Sequence, residues 1–201
     1  MNTKVIQLKA TASPRQFTDV VPVPLSDATM LERKNKVLAR MKDEGFDAIL
    51  IYADKEHGGN FEYLTGFFPR FEEGLLLLEQ SGKATVILGN ENLKMASYSR
   101  IPVTLKHCPF FSLPNQPMDH EVSLERLFMD IGLHAFTKLG LVGWKMFTSA
   151  YGNNKKLFDL PSFIVDAVRS TLPAASALEN AAHLFIRGDS GARTTNNENE
   201  I

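Results

Sequence analysis

Side chains able to do chemistry are densest in one stretch of the sequence, Asp54 to Gly74. Asp54, Glu56, His57, Arg70, Glu72 and Glu73 stand there among Phe61, Tyr63, Phe67, Phe68 and Phe71, punctuated by glycines. The stretch follows a buried apolar run, and loops after the carboxyl ends of strands are where α/β sheets build ligand surfaces. The competing reading is a structural loop whose aromatics cover the sheet, because position in a fold does not prove function. Glu72 and Glu73 are adjacent, so on a strand they point to opposite sides and make poor partners for joint acid–base work.

Other reactive types fall into weaker patterns. Asp119, His120 and Glu121 are consecutive, and consecutive side chains cannot all converge on one metal; a solvated loop before a helix cap accounts for them. The five histidines, His57, His107, His120, His134 and His183, form no HxxxH or HExxH set, and Cys108 has no second cysteine to make a zinc ligand pair. Cys108 beside His107 reads as a structural thiol, since reactive dyads meet in space rather than in sequence. Neither GxGxxG nor GxxxxGK[ST] occurs, and there is no GxSxG elbow. Gly58-Gly59 is expected to be a turn that needs backbone freedom.

Composition sets the bounds. The chain has 201 residues, 44% hydrophobic and 22% charged, which suits one globular domain with its own core. A formal net charge of −1 without a clustered basic face argues against a nucleic-acid partner. A single cysteine precludes an intrachain disulfide. No apolar run approaches the roughly 20 residues that span a bilayer, and Met1 to Ala12 lacks a signal-peptide core. The expectation is a soluble, cytoplasmic protein with no membrane partner.

The elements that must position the central stretch follow from periodicity. Residues 1–25, with Pro14, Pro22 and Pro24, read as an extended arm, and the alternation of Val20, Val21, Val23 and Leu25 would let part of it lie against the body. Ser26 is an N-cap candidate for an amphipathic helix over 26–44, with Met30, Leu31, Val37, Leu38 and Met41 on its apolar face and Gly45 as its stop. Ala48 to Ala53 reads as a strand buried on both faces. A short helix is expected over Asn60–Leu64, ending at Gly66. Gly74–Leu78 and Ala84–Leu88 make a hairpin around Ser81-Gly82-Lys83. Further on come helices at Asn92–Ser99, Ser123–Ile131 and Pro161–Thr171, the last with Phe163, Ile164, Ala167 and Val168 inward, and strands at Val103–His107, Lys138–Val142 and His183–Ile186. From Arg187 onward the composition turns polar and is expected to bury little. The order implies a three-layer α/β/α domain over 26–186 with a mixed, about six-stranded sheet.

In this order, a helix carrying Arg33 and Leu38, then Gly45-Phe46-Asp47-Ala48, then Asn60-x-x-Tyr63-Leu64-Thr65-Gly66-Phe67, then a hairpin opening on Gly74-Leu75-Leu76-Leu77-Leu78, the sequence resembles the N-terminal domain of the creatinase/prolidase (M24 metallopeptidase) family, which includes aminopeptidase P. The resemblance covers roughly residues 30–190. It implies that catalysis belongs to a C-terminal "pita-bread" domain, where in the peptidases two divalent metals (Mn, Co or Zn) are held by two Asp, one His and two Glu. None of those motifs is present here, and 187–201 reads as a linker toward such a domain.

What the resemblance carries over is a supporting role. It implies homodimerisation, with the chain's own C-terminal catalytic domain as partner, and it places residues after the T-G-F element near a substrate entrance. The matching positions are Phe67, Arg70, Phe71 and Glu72. Arg70 would offer a planar donor fork to a carboxylate or carbonyl, and Phe71 would line a side-chain pocket; the alternative is that Arg70 pairs with Glu72 or Glu73 at the surface. The expectation is a non-catalytic domain of an Xaa-Pro aminopeptidase/prolidase-like hydrolase, inactive alone. The alternatives are a freestanding binding or dimerisation module, and an independent small-molecule enzyme using the 54–73 loop.

Overall fold

The computed structural model describes residues 7–14 and 24–195. Most of the expected N-terminal arm, including Val20, Val21 and Val23, lies outside the described residues; 7–14 are exposed and without regular structure.

Helix α1 (Asp27–Asp43) starts where the Ser26 hydroxyl accepts the Thr29 amide at 3.1 Å, with Asp27 in its first turn and Arg40 and Lys42 in its last, the arrangement the helix dipole favours. Thr29, Met30, Val37 and Met41 are buried, whereas Leu31 points outward: one residue past Met30, it is a hundred degrees off the buried stripe. β1 (Ala48–Ala53) is buried at all six positions, as its unbroken apolar run requires. α2 (Gly59–Thr65), the hairpin β2 (Gly74–Glu79) and β3 (Ala84–Leu88), β4 (Thr104–His107), α3 (Leu124–Asp130), β5 (Lys138–Val142), α4 (Ser162–Thr171), β6 (Ala177–Asn180) and α5 (His183–Ile186) follow. The expected helix at 92–99 is a 3-10 helix over Leu93–Tyr98.

The sheet has six strands in the order β4-β3-β2-β1-β5-β6. β2 is antiparallel to β1 and β3, while β1/β5, β3/β4 and β5/β6 are parallel, so β2 alone runs against the other five. Alternate residues of β1 feed opposite layers. Ile49, Ile51 and Ala53 pack with α1, α2 and α5 through Val37, Met41, Phe61, Leu64 and Phe185. Ala48, Leu50 and Tyr52 pack with α3 and α4 through Leu127, Phe128, Ile164 and Val168. The three-layer α/β/α architecture with a mixed sheet is therefore realised.

Three local expectations are corrected. His183–Ile186 is helix α5, and the last strand is Ala177–Asn180. Phe163 is 37% exposed, because the buried stripe of α4 runs through Ile164, Val165, Ala167, Val168 and Thr171. The polar composition after Arg187 does not keep it from packing: Ala192 is fully buried, its amide donates to the Leu184 carbonyl at 2.8 Å, and the Arg193 amide donates to that of Phe185 at 2.9 Å. Backbone groups, which composition does not count, hold this segment. Among the described residues no helix is long and apolar enough to cross a membrane.

Candidate functional site

Because five strands share a direction, their carboxyl ends lie along one rim of the sheet, joined there by the start of β2. The rim gathers Asp54 and His57 after β1, Arg70 to Glu72 before β2, Asn90 to Asn92 after β3, His107 and Cys108 at the end of β4, and Gly143 and Trp144 after β5.

The Asp54 carboxylate organises the first loop. It accepts the amides of Glu56 (2.8 Å) and His57 (2.7 Å), the Tyr52 hydroxyl (3.1 Å) and the His57 Nδ1–H (3.0 Å). Burial raises the Asp54 carboxyl, but these donors, His57 foremost, outweigh it and hold the group below its ordinary value. Burial and then the charge of Asp54 push the Tyr52 phenol well above its ordinary value. His57 stacks on Trp144, 4.8 Å between centroids. Trp144 is in turn fixed by Asp159, whose Oδ2 accepts the Trp144 and Lys145 amides at 2.7 Å each. Asp159 lies so close to Gly143 that any side chain there would collide with it. Gly58-Gly59 likewise answers to space rather than backbone freedom: φ at Gly58 is −88°, and a Cβ on Gly59 would sit 3.0 Å from the Arg193 guanidinium.

The Asn60-x-x-Tyr63-Leu64-Thr65-Gly66-Phe67 element joins parts of the fold that are distant in sequence. Asn60, 3% exposed, donates to the Gly143 carbonyl at 2.7 Å and accepts from Arg193 at 3.0 Å. The Tyr63 hydroxyl donates to the Ala192 carbonyl at 2.9 Å. Thr65 Oγ1 lies 3.0 Å from the Phe61 carbonyl and 2.8 Å from that of Phe67, so its single proton is shared between the two. Gly66 ends α2 with φ +78°, and a Cβ there would sit 2.5 Å from Arg100 Cγ. Phe67 packs edge-on against Phe61, centroids 5.3 Å apart.

The four residues singled out after this element divide. Phe67 and Glu72 are each 5% exposed and face inward, while Arg70 is exposed and Phe71 is 71% exposed with φ +73°. Among the described residues Arg70 forms no ion pair with Glu72 or Glu73. The Arg70 backbone is clamped instead: its amide donates to Asn92 Oδ1 (3.1 Å) and its carbonyl accepts from Asn92 Nδ2 (2.8 Å). Glu72 accepts the amides of Asn92 (3.0 Å) and Glu91 (3.3 Å). Burial, and then its hydrogen bond to the Glu91 carboxyl, push Glu72 up to about 7, and that same bond leads in holding Glu91 below its ordinary value. Glu91 and Asn92 were not singled out in the sequence, where Asn92 reads only as the start of a short helix.

Elsewhere on the rim the Cys108 thiol is 1% exposed and burial pushes it up to about 11, as suits a structural thiol. The His107 ring binds Asn90 Oδ1 at 2.7 Å. Among the described residues no group of three or more His, Cys, Asp and Glu side chains is placed to hold a metal ion. What the rim offers is a displayed guanidinium and aromatic ring on a loop held from beneath.

Fold and rim together define a three-layer α/β domain whose polar loops gather at the carboxyl ends of its strands. Residues 33–107, which contain the whole 54–74 segment, match the family model of the creatinase/prolidase N-terminal domain, and the chain carries that domain's fold. Its structure is similar to that of an Xaa-Pro aminopeptidase from Streptococcus pyogenes (TM-score 0.51, 14% identity, 79% of this chain and 95% of that one). It is similar also to a proline dipeptidase from Streptococcus pneumoniae (TM-score 0.50, 12% identity, 74% and 90%) and to an Xaa-Pro dipeptidase from Bacillus anthracis (TM-score 0.50, 12% identity, 77% and 34%). The chain thus spans about a third of the Bacillus anthracis protein. At these identities the likeness is one of fold. No curated protein gives a significant sequence match.

Proposed function

We propose that this chain is the non-catalytic N-terminal domain of a cytoplasmic M24-type hydrolase acting on Xaa-Pro substrates, contributing to dimerisation and to the substrate entrance of a metal-dependent catalytic domain. The observation that supports this reading best is that Arg70 and Phe71 are the solvent-facing members of a rigidly backed loop inside the family-matched segment. A guanidinium carried on a clamped backbone is suited to the terminal carboxylate or a carbonyl of a short peptide, and the neighbouring ring to its apolar side chain. The pair of divalent ions belongs, in this reading, to the catalytic domain, and no hydrolytic step is assigned to residues of this chain.

In a complete enzyme containing this domain, Arg70→Ala and Phe71→Ala should each raise KM for an Xaa-Pro dipeptide about tenfold with a smaller change in kcat. The 201-residue chain with added Mn²⁺ should not turn over the same peptide. Unchanged KM in both variants, or turnover by the chain alone, overturns the proposal. Light scattering that gives a monomer for the complete enzyme removes dimerisation from it.

A further inference from the structure

On the face opposite α1, the loop leading into α3 and the start of α4 leave apolar side chains in water. Phe110 is 49% exposed, Val122 41% and Phe163 37%, and the two phenyl rings meet edge to face, centroids 5.5 Å apart and planes at 80°. Together with Glu121 and Glu125 they line a slot of about 270 Å³. That volume falls below the roughly 300–1,000 Å³ of small-molecule sites and suits one or two side chains of a partner. Leaving two phenyl rings this exposed gives up much of the burial energy each would return in a core. Exposed apolar surface rimmed by polar groups is the ordinary mark of an interaction surface.

The charges indicate what fits. Both polar groups with ionisable side chains in the slot are carboxylates, and among the described residues neither forms an ion pair. The arginines of the two helices are already used within their own helices, Arg126 with Asp130 at 2.9 Å and Arg169 with Asp166 at 3.3 Å. A two-fold contact with a second copy through this patch would set carboxylate against carboxylate, since such contacts use the same patch on both sides. We propose that this slot docks a basic amphipathic segment of a partner protein, one apolar side chain entering between Phe110 and Phe163 and flanking Lys or Arg side chains meeting Glu121 and Glu125. The rings also favour those cations through their π faces.

The test uses two fluorescent helical peptides of equal length, one of Leu and Lys and one of Leu and Glu, titrated against the 201-residue chain. The Leu/Lys peptide should bind and the Leu/Glu peptide should not. Phe163→Ala should weaken binding about tenfold. Glu121→Gln with Glu125→Gln should weaken it about threefold and flatten its salt dependence. The Glu variants lie on exposed positions and keep the test valid should Phe163→Ala unfold. Equal binding of both peptides, or Leu/Lys binding that neither set of variants changes, overturns the proposal. So does a wild-type dimer, seen by light scattering, that Phe163→Ala dissociates, since the occupant is then a second copy.

Discussion

The buried Glu72 carboxyl accepts the amide of Glu91 at 3.3 Å, beside that of Asn92 at 3.0 Å, beneath the exposed loop. The Glu91 carboxylate oxygens are buried close by, and the two carboxyls act on one another: Glu72 is pushed up and Glu91 is held below its ordinary value. Two ionised carboxylates this close to one another and poorly solvated would repel, which favours keeping one of them protonated. The proton stays on Glu72 up to about pH 7, with burial the leading cause. The same Glu72 holds the amides that set Asn92, and Asn92 clamps Arg70. Protonation here is thus joined by hydrogen bonds to the placement of the displayed guanidinium.

A pH dependence of stability follows. The Glu72 carboxyl is raised in the fold, to about 7 from 4.5, so the stability it contributes is complete below about pH 4.5 and is lost as pH rises through about 7. Glu91, lowered in the fold, works the other way and loses its contribution only as pH falls below its ordinary value. Between about pH 5 and pH 8 the chain should lose on the order of 2 kcal/mol of unfolding free energy through Glu72. Glu72→Gln keeps the shape and supplies an N–H donor to Glu91 without titrating, so its urea-unfolding free energy should be flatter over the same range. Equal slopes for variant and wild type would show that Glu72 is not raised in the fold.

The sequence made the frame legible because burial leaves a local mark. Ala48 to Ala53 is apolar at every position and proves buried at every position, and the Ser26 cap sits one residue before its helix. The C-terminal part was less legible. Both Ala177–Asn180 and His183–Ile186 are four residues long, and over so few residues periodicity cannot separate strand from helix. The polar Glu179 belongs to an edge strand, where Lys138 and Lys155 meet it at 3.6 and 3.3 Å; pairing along an edge does not show in hydropathy. At the rim, Asn60 and Tyr63 could be recognised as a pattern, but their partners at Gly143 and Ala192 lie 83 and 129 residues away. Only the fold reveals that these residues are ties, and that Phe67 and Glu72 turn inward while Arg70 and Phe71 turn out.

Gly66 should tolerate no side chain. Its φ of +78° is costly for any residue with a Cβ, and that atom would press on Arg100, itself held by Asp27 at 2.7 Å and by the Leu25 carbonyl at 2.7 Å. Gly66→Ala should therefore cost about 1–3 kcal/mol, read as a lower Tm, with no change in secondary-structure content by circular dichroism. A variant as stable as wild type would mean that the turn does not take this conformation.

Arg70 and Asn92 should separate display from support. Arg70→Ala removes an exposed side chain with no ion pair to either neighbouring glutamate, so stability should stay within about 0.5 kcal/mol of wild type. Asn92→Ala removes both bonds to the Arg70 backbone and a buried amide side chain, and should cost about 2 kcal/mol. Hydrogen exchange at the Arg70 amide should quicken in Asn92→Ala alone. The opposite ranking, with Arg70→Ala the more damaging, would mean that the guanidinium is structural.

Tyr63→Phe tests how the segment after α5 is held. The hydroxyl donates to the Ala192 carbonyl at 2.9 Å inside the core, and its ring meets Phe185 edge-on at 6.3 Å. Phenylalanine keeps the ring contact and leaves that carbonyl without its donor, so the loss should be about 1 kcal/mol, the net worth of one buried hydrogen bond. The loss should be local. The Ala192 and Arg193 amides, which bond the Leu184 and Phe185 carbonyls, should exchange faster, while those of β1 keep wild-type rates. If β1 and the 192–193 amides accelerate together, the segment unfolds only with the whole domain and Tyr63 is an ordinary core residue. If neither changes, the hydroxyl does not tie Ala192 to the body.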